Sequence, residues 1–389
     1  MKNRFTVPLQ ITTYALLAVA VTYLFYQQAR VTDANSPFPS DLPLLLSIIK
    51  PYLNGSYYIP HPLTYLIIHY LATLAGTTYE VAAPVVMTTA VLATLYLVHT
   101  LLTRSGNLFE QKILLPVSLS LMFVIAIYVP FLNKYMYIGQ FSPNIWHSAT
   151  LLLLKPFALL SFLYFVNFLK DSDQHSRGDA VIGSLCLLIS TAVKPSFVIT
   201  FLPAAGLYLL LFRLKETRLA IKIAIMALPS IGLLAYQYLQ TYQSRGTESY
   251  FHDKIIFTNF GVLKMYSPNI PISVLLVLAF PLTVAIIGRR RLFDNLFLKM
   301  AWLVTIVAFL QVAFLAEQQK FAQGAFGFGY VMALFLLYVC SMDEYLGWFG
   351  HKGSTPGLAG KGAVSVIYLL HLISGIYYFA KLIRGGSYI

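Results

Sequence analysis

Residues 148–170 read SATLLLLKPFALLSFLYFVNFLK, and this stretch decides the fold class. Its apolar character continues over about twenty residues, the length a helix needs to cross roughly 30 Å of hydrocarbon. A strand of an outer-membrane barrel is about half as long and alternates apolar with polar side chains. Comparable runs recur at 8–26, 80–103, 113–131, 180–193, 197–212, 220–240, 271–288, 295–316, 326–342 and 362–380. Composition agrees with them. Of 389 residues, 58% are apolar and only 11% are charged, with a mean hydropathy of +0.72. Soluble domains carry about 25% charged residues, and a soluble chain so poor in charge would expose more apolar area than water tolerates. Cytosolic enzymes, secreted disulfide scaffolds and disordered chains are therefore excluded. The expectation is an all-α, polytopic integral membrane protein. It is a single transmembrane helical domain over 1–389, with about eleven transmembrane helices and two interfacial helices in a first outer loop at 27–79.

Orientation follows from charge. The two short apolar pieces, 42–49 and 63–75, are too short for comfortable spans. If neither crosses and the N-terminus is cytoplasmic, 14 of the 27 Lys and Arg residues fall on the cytoplasmic side and 9 on the outer side. The Arg289-Arg290-Arg291 cluster is then cytoplasmic, as the positive-inside rule favours. The first span follows Lys2 and Arg4 with no small-residue cleavage site, so it reads as a retained anchor. The net charge of +13 is scattered over segment ends, which argues for the lipid bilayer as partner and against nucleic acid. Residues 351–362 read as a flexible, Gly-rich cytoplasmic loop. Short loops and the lack of a sorting motif point to a bacterial plasma membrane. Cys186 and Cys340 lie in apolar runs without metal spacing and read as small buried hydrophobes.

Under this topology the distinctive polar residues gather on the outer side. Asp41 precedes the first short helix, where it serves either as a general base or metal ligand at the membrane surface or as a helix N-cap. His61, before Pro62, is placed to bind a phosphate or an acceptor hydroxyl. The stretch 139–147 crowds polar and aromatic groups together. Within it Asn144 and His147 supply hydrogen bonds, and Trp146 offers a face for a sugar ring. Lys155, about 10 Å below the surface at 1.5 Å per residue, and Lys194, before Pro195, form a candidate lipid-phosphate or diphosphate site. The plainer alternative is a pair of independent snorkelling lysines. Glu317 and Lys320 close another span at its outer end, and Gly324, Gly327 and Gly329 permit close approach by a partner or ligand. His69, His99 and His371 stand singly in apolar segments and read as packing histidines. No Walker loop, zinc-type His/Glu spacing or nucleophile elbow is present in the sequence.

Together these features resemble the GT-C class of membrane glycosyltransferases, chiefly over residues 1–160. In that class the first outer loop carries an acidic residue and two interfacial helices, as Asp41 and the pieces 42–50 and 61–76 do here. The turn Pro143-Asn144-Ile145-Trp146-His147 and the pair Lys155-Pro156 make the chain similar to bacterial surface-polysaccharide members. The resemblance implies sugar transfer, within polysaccharide biosynthesis of the cell envelope, from a polyprenyl-phosphate-type donor to a glycan or lipid acceptor on the extracytoplasmic face. Asp41 would be the base, Lys155 and Lys194 the phosphate holders, Asn144, Trp146 and His147 the sugar-orienting residues, and Glu317 and Lys320 the rim. Ser40 precedes Asp41 and Asp33 is eight positions away, so the paired acids common in the class are missing. A base without a metal fits better, and no cofactor is expected. The rivals are a polysaccharide polymerase or ligase, a carrier of lipid-linked sugar, and a non-catalytic scaffold.

Overall fold

The computed structural model describes residues 6–31, 36–104, 111–171, 174, 176–242, 254–288, 294–350 and 356–387. Lys2, Arg4, Asp33, Arg245, the Arg289–Arg291 cluster and residues 351–355 of the Gly-rich loop lie outside them. In chain order the helices are α1 (Thr6–Ala29), α2 (Leu42–Ser47), α3 (Ile49–Leu53), α4 (Leu63–Leu74), α5 (Tyr79–Arg104), α6 (Gln111–Leu121), α7 (Ala149–Lys170), α8 (Arg177–Val193), α9 (Ser196–Phe212) and α10 (Thr217–Tyr242). A short strand β1 (Ile255–Phe257) leads to α11 (Gly261–Tyr266), α12 (Ile270–Ile287) and α13 (Leu296–Phe314). Then β2 (Leu315–Glu317) precedes α14 (Gly327–Gly350) and α15 (Leu358–Ile383). The described residues thus form an all-α bundle carrying one two-stranded ribbon, in which β1 and β2 pair antiparallel with Ile255 opposite Glu317.

Among the described residues, seven helices are long and apolar enough to cross a membrane: α5, α7, α10, α12, α13, α14 and α15. Helix α1 has 24 residues, α8 and α9 have 17 each, and α6 has 11; these four stand outside that set. Helices α7 and α14 form the centre, with 78% and 83% of their apolar windows buried, whereas α10 buries only 28%. Its bare side (Ile221, Ile225, Leu228, Tyr236) is exposed and suits lipid. Asn269 and Asn295 cap α12 and α13 by accepting from the N–H groups of Ile272 and Leu298. A reciprocal Ser176–Asp179 capping box starts α8. Both cysteines are buried and unpaired with each other.

The span expected at 113–131 is corrected by the structure. Helix α6 stops at Leu121, and the chain runs on through the bundle as irregular backbone to His147. Irregular backbone at membrane depth survives only where protein satisfies its polar groups, and here the partners are identifiable. Asn144 Nδ2 donates to the carbonyls of Leu121 and Val124, both at 2.8 Å. The Ala126 N–H donates to Ser142 Oγ, and the Tyr128 N–H to Ser374 Oγ. His371 Nδ1 donates to Ile125 O at 2.7 Å, while its Nε2 accepts from the Phe280 N–H. His371 is therefore no mere packing histidine, since its ring ties the segment to α12 and α15. Gly375 is required beside it: a Cβ there would stand 1.7 Å from Phe123 O.

Candidate functional site

One end of the bundle gathers the segment 57–61, α4, α10, the β1–β2 ribbon and the turn between α8 and α9 around a cavity of about 740 Å³. That volume lies within the range of small-ligand sites. Lys194 lies in the α8–α9 turn and lines the cavity, because Pro195 ends α8 and starts α9. His61, Glu317 and Lys320 line it as well, so four of the residues singled out from sequence converge. Lys194 Nζ donates to Thr150 Oγ1 at 3.2 Å and stands 3.5 Å from the centroid of the Phe328 ring. Among the described residues it makes no ion pair. Asp41 and Glu317 attract it from beyond contact distance, but burial outweighs them and pushes its pKa down to about 8. Glu317 Oε1 instead accepts from the Tyr242 hydroxyl at 2.6 Å.

Asp41 occupies the N-cap position of α2 without performing its function. Its backbone is in the right-handed helical region and its carboxylate makes no capping bond. Ser40 Oγ accepts from the Leu42 N–H instead. The Asp41 N–H donates to His147 O at 3.4 Å, which fixes Asp41 beside the entrance to α7. Asp41 is exposed and does not line the cavity, yet loss of hydration among its neighbours raises its pKa, opposed by Lys194. A raised carboxylate pKa moves toward the range a general base needs.

Burial first, and then the Lys194 charge, lower the pKa of His61 to about 4 and of His147 to about 3. Both imidazoles are neutral at pH 7. His61 Nδ1 has no hydrogen-bond partner among the described residues. His147 is 4% exposed and packs edge-on against Tyr137, behind the cavity and not in its wall.

Three expected site residues are placed elsewhere. Lys155 Nζ donates to Asn144 Oδ1 at 2.6 Å and to Pro143 O at 3.1 Å, and lies over the Phe335 ring. Two bonds from a charged donor contribute about 1.5–3 kcal/mol each. They offset the roughly 2.5–3.5 kcal/mol cost of a lysine within the membrane, so Lys155 needs no phosphate. Asn144 spends its amide on the α6 terminus, as above. Trp146 is 2% exposed and packs on Phe123 and Phe379. The space beside these three is about 10 Å³, too small for a sugar. Of the glycines, Gly327 faces the Phe141 ring and Gly324 faces Val262, whereas Gly329, packed against Ser196 O and Thr200, also lines the cavity.

The cavity also contains residues the sequence reading passed over, notably Ser196, Gln237, Gln311 and Tyr242. The two glutamines each interrupt an apolar run, a signal for hydrogen bonding between helices. Among the described residues, no group of three His, Cys, Asp or Glu side chains is arranged to hold a metal ion. Comparison with protein-family models and with curated proteins gives no match, so the functional reading rests on the site itself.

Proposed function

We propose that this protein is a membrane glycosyltransferase of GT-C type. It takes a sugar from a polyprenyl-phosphate-type donor and passes it to a glycan or lipid acceptor at the extracytoplasmic face of a bacterial plasma membrane. The observation that carries the reading is Lys194: an ammonium group in a mixed polar and apolar cavity, with one hydroxyl and one ring beside it and, among the described residues, no carboxylate in contact. Such a group gains from an anion. The wall beside it is α10, one helix thick and apolar on its far side, which suits a ligand whose tail stays in lipid. In the reaction, Asp41 takes the proton of the acceptor hydroxyl as the new glycosidic bond forms. The sugar–phosphate bond breaks, and Lys194 stabilises the charge left on the departing phosphate. The neutral His61 contributes a hydrogen bond without adding charge.

The proposal includes the topology. α1, α5, α7–α10 and α12–α15 make ten traverses. α6 with the irregular segment after it makes the eleventh, and the N-terminus is cytoplasmic. The test is glycan product measured by mass spectrometry in membranes supplied with polyprenyl-phosphate sugars. Asp41→Asn and Lys194→Met should each abolish product at undiminished protein level. Undiminished product from either variant removes that residue from the mechanism. A carrier of lipid-linked sugar is the second reading, favoured by the irregular backbone at mid-depth. Transfer of labelled lipid-linked sugar across sealed vesicles without new glycosidic bonds would establish it.

A further inference from the structure

Helices α8 and α9 each lack one backbone bond near the cavity. Thr191 O belongs to the last turn of α8, which ends at Val193 before Pro195, and Ile199 O lies four residues before Pro203 inside α9, so both carbonyls lack helical donors. Two glutamines from other helices replace them. Gln237 Nε2 of α10 donates to Thr191 O at 3.1 Å, and Gln311 Nε2 of α13 donates to Ile199 O at 2.9 Å. These bonds fix which way each amide faces. Both Oε1 atoms are left as acceptors with no partner among the described residues, as is Ser196 Oγ. All three residues line the cavity that holds Lys194. A buried acceptor without a donor costs about 1–3 kcal/mol, so the two amide oxygens form a standing demand for hydrogen-bond donors.

We infer that this wall is a hydroxyl-recognition subsite, in which Gln237 Oε1, Gln311 Oε1 and Ser196 Oγ accept from a polyol joined to the phosphate held at Lys194. The inference rests on the lipid-phosphate reading of Lys194 and narrows it. A cationic ligand would meet the Lys194 ammonium in the same cavity. A carboxylate or carbonyl group would set acceptors against acceptors. A polyol does neither. The same chemistry is offered by a sugar phosphodiester and by a glycerol phosphodiester headgroup.

The test measures equilibrium binding to the full chain in nanodiscs of zwitterionic lipid. The probes are a short-chain prenyl phosphate, its hexosyl phosphodiester, deoxyfluoro versions of that hexosyl ester, phosphatidylglycerol, and free methyl hexoside. The hexosyl ester should bind at least about tenfold tighter than the bare phosphate, which corresponds to one hydrogen-bond-sized difference. Fluorine in place of the recognised hydroxyls should remove that advantage. Ser196→Ala, which leaves both glutamine braces intact, and Gln311→Met should shrink the advantage while bare prenyl phosphate binds as before. Phosphatidylglycerol competing as well as the hexosyl ester would assign the subsite to a lipid headgroup. Equal binding of bare and hexosyl phosphates, or an advantage untouched by the variants, overturns the inference while the phosphate reading stands. If bare prenyl phosphate fails to bind but methyl hexoside still binds in a Gln311-dependent way, the phosphate reading falls and the subsite survives. Loss of both removes the subsite too.

Discussion

Lys155 and Lys194 carry the same charge and are handled in opposite ways. Lys155 has two backbone-anchored acceptors and an aromatic face; Lys194 has a single hydroxyl and a ring. Lys155→Met should therefore destabilise the protein by about 1–3 kcal/mol, seen as a lower Tm in detergent, with prenyl-phosphate affinity retained. Lys194→Met should do the reverse, holding Tm and abolishing prenyl-phosphate binding. The pH dependence follows from Lys194. Its pKa is about 8, and only the ammonium form attracts phosphate. Affinity should be flat from pH 6.5 to 7.5 and fall toward tenfold per pH unit above 8, and Lys194→Arg should remove that fall, because guanidinium stays charged. An unchanged pH profile in the arginine variant would place the titrating group elsewhere. His61, neutral above about pH 4, contributes no step in this range.

At the scale of elements, proline inside helices explains much of the side-chain bonding. Pro281 leaves Val277 O without its helical donor, and the Tyr338 hydroxyl from α14 donates to it at 2.7 Å. Pro203, inside α9, is answered by Gln311 in the same way, and Gln237 serves the carbonyl of Thr191 at the end of α8, before Pro195. Tyr338→Phe should cost about 1–3 kcal/mol through the orphaned carbonyl, measured as a lower Tm, whereas a phenylalanine at the exposed Tyr236 should leave Tm within experimental error. Gly375→Ala is expected to prevent accumulation of folded protein, checked by size-exclusion chromatography in detergent, because its methyl group has no room beside Phe123 O. The length and apolar content of most helices could be read from sequence, since lipid imposes both on the chain itself. The end of α6 at Leu121 could not. Residues 122–129 are as apolar as their neighbours, and what unwinds them is a set of partners that includes Asn144, His371 and Ser374. The β1–β2 ribbon was hidden for the same reason, as three residues paired at long range carry no local period.

At the scale of the whole molecule, the expected gathering of polar residues at one end is the part of the site that sequence revealed best. His61, Lys194, Glu317 and Lys320 line one cavity, with Asp41 close enough to act on Lys194 electrostatically and Lys194 close enough to act on His147. Asn144, Trp146 and Lys155 were legible as unusual but not as structural. A polar residue within an apolar run looks the same whether it awaits a ligand or another part of its own chain. The proposed orientation makes a direct prediction. A cysteine at the exposed Asn54, beside the cavity, should react with a membrane-impermeant maleimide on intact cells. One at the exposed Lys215, at the far end, should react only after permeabilisation. The converse pattern inverts the topology.

The segment after α6 also has consequences for how the chain is assembled. Ile125 depends on His371, made 246 residues later, so its backbone waits unsettled until the final helix is in place. Translation must therefore deliver most of the bundle before this strand of chain can find its seat. The last helix is the latch: a protein truncated before it should still reach the membrane but remain open to proteolysis between Leu121 and His147.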